Sequence, residues 1–285
     1  MKRFFIVAAA IGFCHGIFAQ KLDLTKSEDL LTAFVKVRGS LDAKEETVVY
    51  DEGIIYAVIP NQPIKALMKF QMYNISRFEK TDSGYNLITR EMLAYEDVKT
   101  GAILNKWYNP VIKDSVEVLH VWNDPVNSKN TAKIFYLPMM KLSKDRLCFY
   151  IDVPLYYPSP LKEADWPQNS RSDMYQAAEL FQFFVNEKDI QNKKLNSVPF
   201  DLSWHRFSDF LPWMKMADAP GYLMYSSRGS KLKGGWNDLP QNIKDFVTST
   251  APEYQHAPAT YATPNMTSWK YFKKVMEERK KANGQ

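Results

Sequence analysis

Between residues 46 and 154 the chain alternates short runs rich in Val, Ile, Tyr and Phe with polar turn signals. The runs are Thr47–Tyr50, Ile54–Ile59, Ala66–Asn74, Tyr85–Tyr95, Ile103–Tyr108, Val116–Trp122, Ala132–Leu137 and Leu147–Val153. The breaks include Asp51-Glu52-Gly53, Pro60-Asn61-Gln62-Pro63, Asp82-Ser83-Gly84 and Lys99-Thr100-Gly101. Most are long enough to turn a hairpin and too short to hold a crossover helix, so they predict an antiparallel, largely meandering sheet. So many strands in succession predict closure into a barrel, because closure removes the edges that invite aggregation.

The flanks read differently. Thr25 or Ser27 is placed to cap a short helix carrying Leu30, Leu31, Phe34 and Val35 at helical spacing, with Gly39 ending it. Residues 154–172 are Pro-rich and irregular, an excursion from the sheet. In the next segment Met174, Ala177, Ala178, Phe181, Phe184 and Val185 fit a helical stripe, while Phe181, Phe183 and Val185 fit a strand. Length favours the helix and aromatic density the strand, and the pattern leans to the helix. Val198-Phe200-Leu202-Trp204 alternates as a strand, and Gly221–Tyr225 begins another. Two helices close the chain, one around Ile243, Phe246 and Val247, the other after a Thr267 or Ser268 cap with Trp269, Phe272, Val275 and Met276. The expectation is one mainly β domain over residues 20–285.

Strand phase selects candidate functional side chains, since alternate residues share a face. Glu91 falls in phase with Leu87, Leu93 and Tyr95, and His120 with Val116, Val118 and Trp122. Arg206 falls in phase with Val198, Phe200, Leu202 and Trp204, and His205 with Asp201 and Ser203 on the other face. An inward carboxylate or imidazole needs a partner. Glu91 with Arg206, or Glu91 with His120, meets that need, either as an acid/base or ligand-orienting pair or as a structural pair fixing the core. Trp122, Trp204, Arg206 and Trp213 are candidate ligand-binding residues, in keeping with an aromatic content of 14%. The other reading of those aromatics is an ordinary core.

The N-terminus, MKRFFIVAAAIGFCHGIFAQ, has a basic start, an apolar run from Phe4 to Phe13 and a small residue at Ala19. This is the pattern of an export signal cleaved after Ala19, and the run is too short to span a bilayer. Cys14 follows Phe13 rather than a small residue, which argues against lipid attachment. Cleavage leaves Cys148 as the single thiol, with no internal disulfide, and it reads as a small buried hydrophobe. Removing Lys2 and Arg3 lowers the formal charge of +5 by two, and a basic tail near Lys273–Lys281 accounts for part of the remainder. A periplasmic or secreted destination with so small a charge argues against a nucleic-acid partner, and no later stretch is apolar enough for stable membrane insertion.

The familiar catalytic signatures are missing. No Gly-rich phosphate loop, His-Glu-x-x-His helix, Cys-x-x-Cys pair or Gly-x-Ser-x-Gly elbow occurs. His120, His205 and His256 have no metal-ligand spacing, and Met214 or Met216 beside Trp213 reads as packing rather than haem ligation. No metal or cofactor is therefore expected.

Several stretches together resemble domain-of-unknown-function family 1838, from bacteria and fungi. They are Leu31-Thr32-Ala33-Phe34-Val35-Lys36-Val37-Arg38-Gly39-Ser40-Leu41-Asp42, Leu87-Ile88-Thr89-Arg90-Glu91, Trp107-Tyr108-Asn109-Pro110 and His120-Val121-Trp122-Asn123-Asp124-Pro125-Val126-Asn127. Later come Ser203-Trp204-His205-Arg206, Leu211-Pro212-Trp213-Met214 and Pro220-Gly221-Tyr222-Leu223. The resemblance implies one unit over residues 21–282 and carries no activity or catalytic residue with it. The strand layout is similar to calycin-type barrels, an analogy of fold alone. The leading expectation is an exported antiparallel barrel holding a small, largely apolar molecule. The alternatives are a cofactor-free hydrolase, isomerase or cyclase using Glu91 and His120, and a structural or interaction protein with an exposed apolar patch.

Overall fold

The computed structural model describes residues 21–284; the export signal expected over residues 1–19 lies outside them. The first apolar stripe forms a helix, α1 (Ser27–Arg38), with Leu30, Leu31, Phe34 and Val35 buried. Lys26 stands at its N-cap without a side-chain cap bond, in place of the expected Thr25 or Ser27.

Twelve strands are described: β1 (Thr47–Val58), β2 (Lys65–Thr81), β3 (Gly84–Glu96), β4 (Lys106–Asn109), β5 (Asp114–Glu117), β6 (Val121–Asn123), β7 (Ser128–Thr131), β8 (Met139–Lys141), β9 (Arg146–Pro158), β10 (Met174–Asn186), β11 (Asp201–Ser208) and β12 (Tyr222–Leu232). A short helix, α2 (Glu187–Gln191), follows β10, and α3 (Gln241–Thr250) and α4 (Ser268–Ala282) finish the chain. β4 and β5 pair with each other. The main sheet runs β6–β3–β2–β1–β12–β11–β10–β9–β8, with β7 also on β3, and its ladders are antiparallel. The meander holds within β1–β3 and within β8–β12; pairing of β1 with β12 joins the two halves.

The expected barrel closure is not found. The path ends at β6 and β7 on one side and at β8 on the other, and no ladder joins these edges among the described residues. They are joined only by chain, through residues 132–138 between β7 and β8. That stretch spans at most roughly 30 Å, so the two edges face each other across a gap. α1 packs there, with Phe34 5.3 Å from Phe135 and 6.2 Å from Phe78, centroid to centroid.

Four local expectations also change. Ala132–Leu137 is not a strand but a short 3-10 turn followed by extended chain. Val116–Trp122 splits into β5 and β6, and the chain between them leaves the ladder. Residues 174–186 are strand, not helix: partners on both sides, β9 and β11, impose the two-residue period. Asp51-Glu52-Gly53 is no turn, because β1 runs straight through it between β2 and β12.

The sheet has two layers of cover. Its inner face shares one core with α1 and with Trp107, Trp213, Trp269 and Phe272. The outer face of β1–β3 carries a second core, where Val48, Tyr73, Ile75, Met92, Ala94 and Trp122 meet Ile243 and Val247 of α3 and Tyr254. At the β8 edge Ile134, Tyr136, Met139, Met140 and Leu142 are exposed.

Candidate functional site

The inner face is apolar except at its middle, where two rows of polar side chains lie across the strands. In one row Asn74 of β2, Glu91 of β3 and Asn123 of β6 are direct cross-strand neighbours. In the other, Glu179 of β10, Arg206 of β11 and Tyr225 of β12 are neighbours. The β1–β12 seam separates the rows. Here Asp51 faces Gly229 and Ser227 faces Gly53. A side chain at either glycine collides with backbone, 2.2 Å from Ser226 O at Gly53 and 2.2 Å from Tyr50 O at Gly229. Glycine there lets the two halves of the sheet meet closely, and the Ser227 hydroxyl donates to Asp51 Oδ2 at 2.6 Å.

Glu91 accepts from Asn123 Nδ2 at 3.0 Å on one oxygen and from Asn74 Nδ2 at 3.3 Å on the other. Arg206 donates to Glu179 and to the Tyr175 hydroxyl. Arg38, from the last turn of α1, donates to Ser76 Oγ at 3.3 Å and to Asn74 Oδ1 at 3.2 Å. Asn74 thus links Arg38 to Glu91 through its two amide atoms.

Burial sets the electrostatics. Loss of solvent pushes the Asp51 carboxyl up to about 7; the Ser227 hydrogen bond and Arg38 oppose the rise, and Glu91 adds to it. Burial also raises Glu91, with Glu179 adding to it, while Arg206, Asn74 and Asn123 work against the rise. Burial lowers the Arg38 guanidinium to about 10, with Glu91 and Asp51 resisting. For Arg206 burial alone would lower the guanidinium, but Tyr175, Glu179, Tyr225 and Glu91 outweigh it and hold it above its usual range. These groups are deep and yet not all sealed. The Arg206 and Glu179 side chains keep 16% and 21% of their accessible surface, and Arg38, Asn74, Glu91 and the apolar Ile151, Val153 and Phe181 beside them are half-buried. This part of the inner face is therefore not fully sealed from water.

Of the residues singled out in the sequence, Glu91, Trp204 and Arg206 meet on this inner face. Trp204 packs among Phe70, Tyr225 and Phe181 at 5.9, 5.7 and 6.2 Å. Trp213 sits in a 3-10 turn (Pro212–Met214) with its ring 5.3 Å from Tyr95 and 6.2 Å from Trp107. Trp122 belongs to the outer core, against Tyr254 and Phe246. His120 lies at the open edge of β3. Its Nδ1 accepts the Tyr95 backbone N–H at 3.1 Å, replacing a ladder partner, and its ring packs on Tyr95 and Phe246. Burial lowers the imidazole to about 4, so it is neutral near pH 7 with its proton on Nε2. The expected Glu91–His120 pair is not formed: Glu91 is held by the two asparagines and His120 by the β3 backbone.

A family model described as a protein of unknown function, DUF1838, matches residues 44–276. The chain belongs to the DUF1838 family. Asp51, Asn74, Glu91, Asn123, Glu179, Arg206, Tyr225 and Ser227 all lie within the DUF1838 match, whereas Arg38 precedes it. No curated protein matches the chain. Among the described residues no three His, Cys, Asp or Glu side chains are grouped to hold a metal ion, and no helix is long and apolar enough to cross a membrane.

Sequence reasoning missed Asp51, Glu179, Arg38 and the tyrosines around Arg206. Asp51 had been absorbed into a turn signal and Glu179 into a helix pattern. Read as strands, both segments carry a lone acid in phase with apolar neighbours, and that signal would have found them.

Proposed function

We propose that the inner face binds one small, largely apolar molecule. Its body rests on Phe181, Ile151 and Val153, with Trp204 packed behind Phe181, and its polar end meets the cluster of Arg38, Asn74, Glu91 and Arg206. The observation that carries this reading is the residual accessibility of Arg206 and Glu179, which point inward from central strands. A polar cluster meant only to pin the core is expected to be sealed. The test is titration with N-phenylnaphthylamine, a neutral apolar dye whose emission rises in apolar surroundings. One saturable site is expected, abolished by Phe181→Glu with the fold intact by circular dichroism. No saturable binding, or binding that Phe181→Glu leaves alone, sinks the reading. The same proposal takes residues 1–19 as an export signal; N-terminal sequencing of the protein from a periplasmic or culture fraction should begin at Gln20.

Two other readings each rest on one feature. Asp51 and Glu91 are two carboxyls raised by burial on the inner face, the environment in which a carboxylic acid keeps a proton near neutral pH and serves as a general acid. In that enzyme reading Asp51 takes the place first given to His120. The exposed apolar run from Ile134 to Leu142 at the β8 edge supports an interaction surface.

A further inference from the structure

The two arginines at the inner face are held differently. Arg206 has a carboxylate and a phenol, Glu179 and Tyr175, as direct acceptors. Arg38 has only neutral acceptors, Ser76 Oγ and Asn74 Oδ1, and it takes part in none of the ion pairs within 4 Å among the described residues. A guanidinium carries five N–H donors, so two bonds to neutral oxygens leave most of its capacity unused. The nearby acids do not reach it. Glu91 is turned to Asn74 and Asn123, and Asp51 to Ser227. Deep placement of a cation without a counter-charge is costly, and Arg38 retains accessible surface.

We propose that Arg38 is the anion-receiving residue of the proposed binding cleft, and that its ligand is a small monoanionic organic acid with an apolar body. The proposal rests on the binding reading above and adds the charge of the ligand to it. Arg206 then orders the cleft wall through Glu179 and Tyr175, and Arg38 is left to form a two-bond clamp with a carboxylate or sulfonate.

The groups facing Arg38 set its pH dependence. They are Asp51 from β1, Glu91 from β3 and Lys231 from β12, with Arg206 and Glu179 beyond Glu91. Lys231 is itself occupied, donating to the Lys36 and Gly39 carbonyls and to Ser197. With Asp51 protonated the field at Arg38 is more positive. Ionisation of Asp51 near pH 7 adds a negative charge that repels an incoming anion. Anion affinity is therefore expected to fall as the pH rises through 7.

The test uses two dyes with one aromatic body. Anilinonaphthalene sulfonate carries an anion and N-phenylnaphthylamine does not. At pH 6 the sulfonate is expected to bind at least about tenfold tighter, the worth of one charge-assisted hydrogen bond. Its affinity should drop between pH 6 and 8 while that of the neutral dye stays level. Arg38→Met should abolish the sulfonate's advantage and spare the neutral dye, and Arg38→Lys should restore part of it. Equal affinities at pH 6 with no pH effect overturn the assignment of Arg38 while leaving the cleft standing. Failure of both dyes to bind overturns the cleft itself. If Arg38→Met does not fold, the pH series on the natural protein still decides between these outcomes.

Discussion

One strand, β3, sends charged side chains to both faces of the sheet, Arg90 and Glu96 outward and Glu91 inward, and they are held differently. Outward, Glu96 is buried and accepts from Gln71 and from Asn242 of α3. Arg90 pairs with Asp124 at 3.1 Å, donates to the Glu253 carbonyl and stacks 5.1 Å from the Tyr254 ring centroid. Inward, Glu91 is held only by strand residues, and so are Arg206 and Glu179. The outer polar groups are bonded to the chain's own later segments, although Asp124 keeps 30% of its side-chain surface. The inner ones are satisfied among themselves, and Arg206 and Glu179 keep part of their accessible surface. The difference lies in the partners: later segments of the chain hold the outer groups, and the strands themselves hold the inner ones.

The largest effect expected from this contrast is on the outer side. Trp122 is 8% exposed and wedged between Phe246 and Tyr254. Trp122→Ala should cost about 3–5 kcal/mol of stability, measured by denaturant unfolding, and leave N-phenylnaphthylamine affinity in the folded protein unchanged. A parallel loss of dye affinity would erase the functional distinction between the faces.

The second effect is one of pH, and the two residues involved have opposite signs. Asp51 rises on folding to about 7, so the folded chain holds a proton that the unfolded chain has lost, and stability falls as pH climbs from about 4 to 7. His120 drops on folding to about 4, so the unfolded chain holds the extra proton, and stability rises from about pH 4 to 6.5. Each is worth on the order of 3 kcal/mol across its window, and in the natural protein they largely offset each other. Asp51→Asn should therefore make the protein more acid-labile relative to neutral pH, and His120→Gln less so. Unfolding curves at pH 4.5 and 7 for both variants check this. A common sign in the two would mean that Asp51 or His120 is not buried as described.

The same contrast explains how far the sequence could be read. Period-two alternation in β3 and β11 set Glu91, Trp204 and Arg206 in phase with apolar residues of their own strands without knowledge of any neighbour. It failed where a strand's identity depends on its partners. β10 became a strand because β9 and β11 flank it, and only then does Glu179 face Arg206. β1 passes through Asp51-Glu52-Gly53, a strong local turn signal, because β2 and β12 pair with it on both sides. Gly53 marks the close approach of a second backbone, and tertiary pairing overrides the local preference. Barrel closure was inferred from strand number, but the edges are bridged by seven residues of chain and packed by α1 rather than joined by a ladder. Arg38 was out of reach altogether, since a basic residue in a helix's last turn ordinarily faces the helix dipole and solvent.

The smallest effect probes whether Arg206 and Glu179 form a cleft wall or a core pin. Their side chains remain 16% and 21% accessible, so water screens the pair and its net contribution is well below that of a sealed one. Arg206→Met leaves Glu179 without its partner and should cost about 2 kcal/mol, because the stranded carboxylate is still deep. Adding Glu179→Met removes the stranded charge and should recover most of that loss. If the pair only pins the fold, the double variant will regain stability and bind N-phenylnaphthylamine as before. If it forms the cleft wall, stability will return while the dye's affinity changes, since two apolar side chains then replace a polar boundary. The second outcome is expected: it separates what the pair contributes to folding from what it contributes to the site.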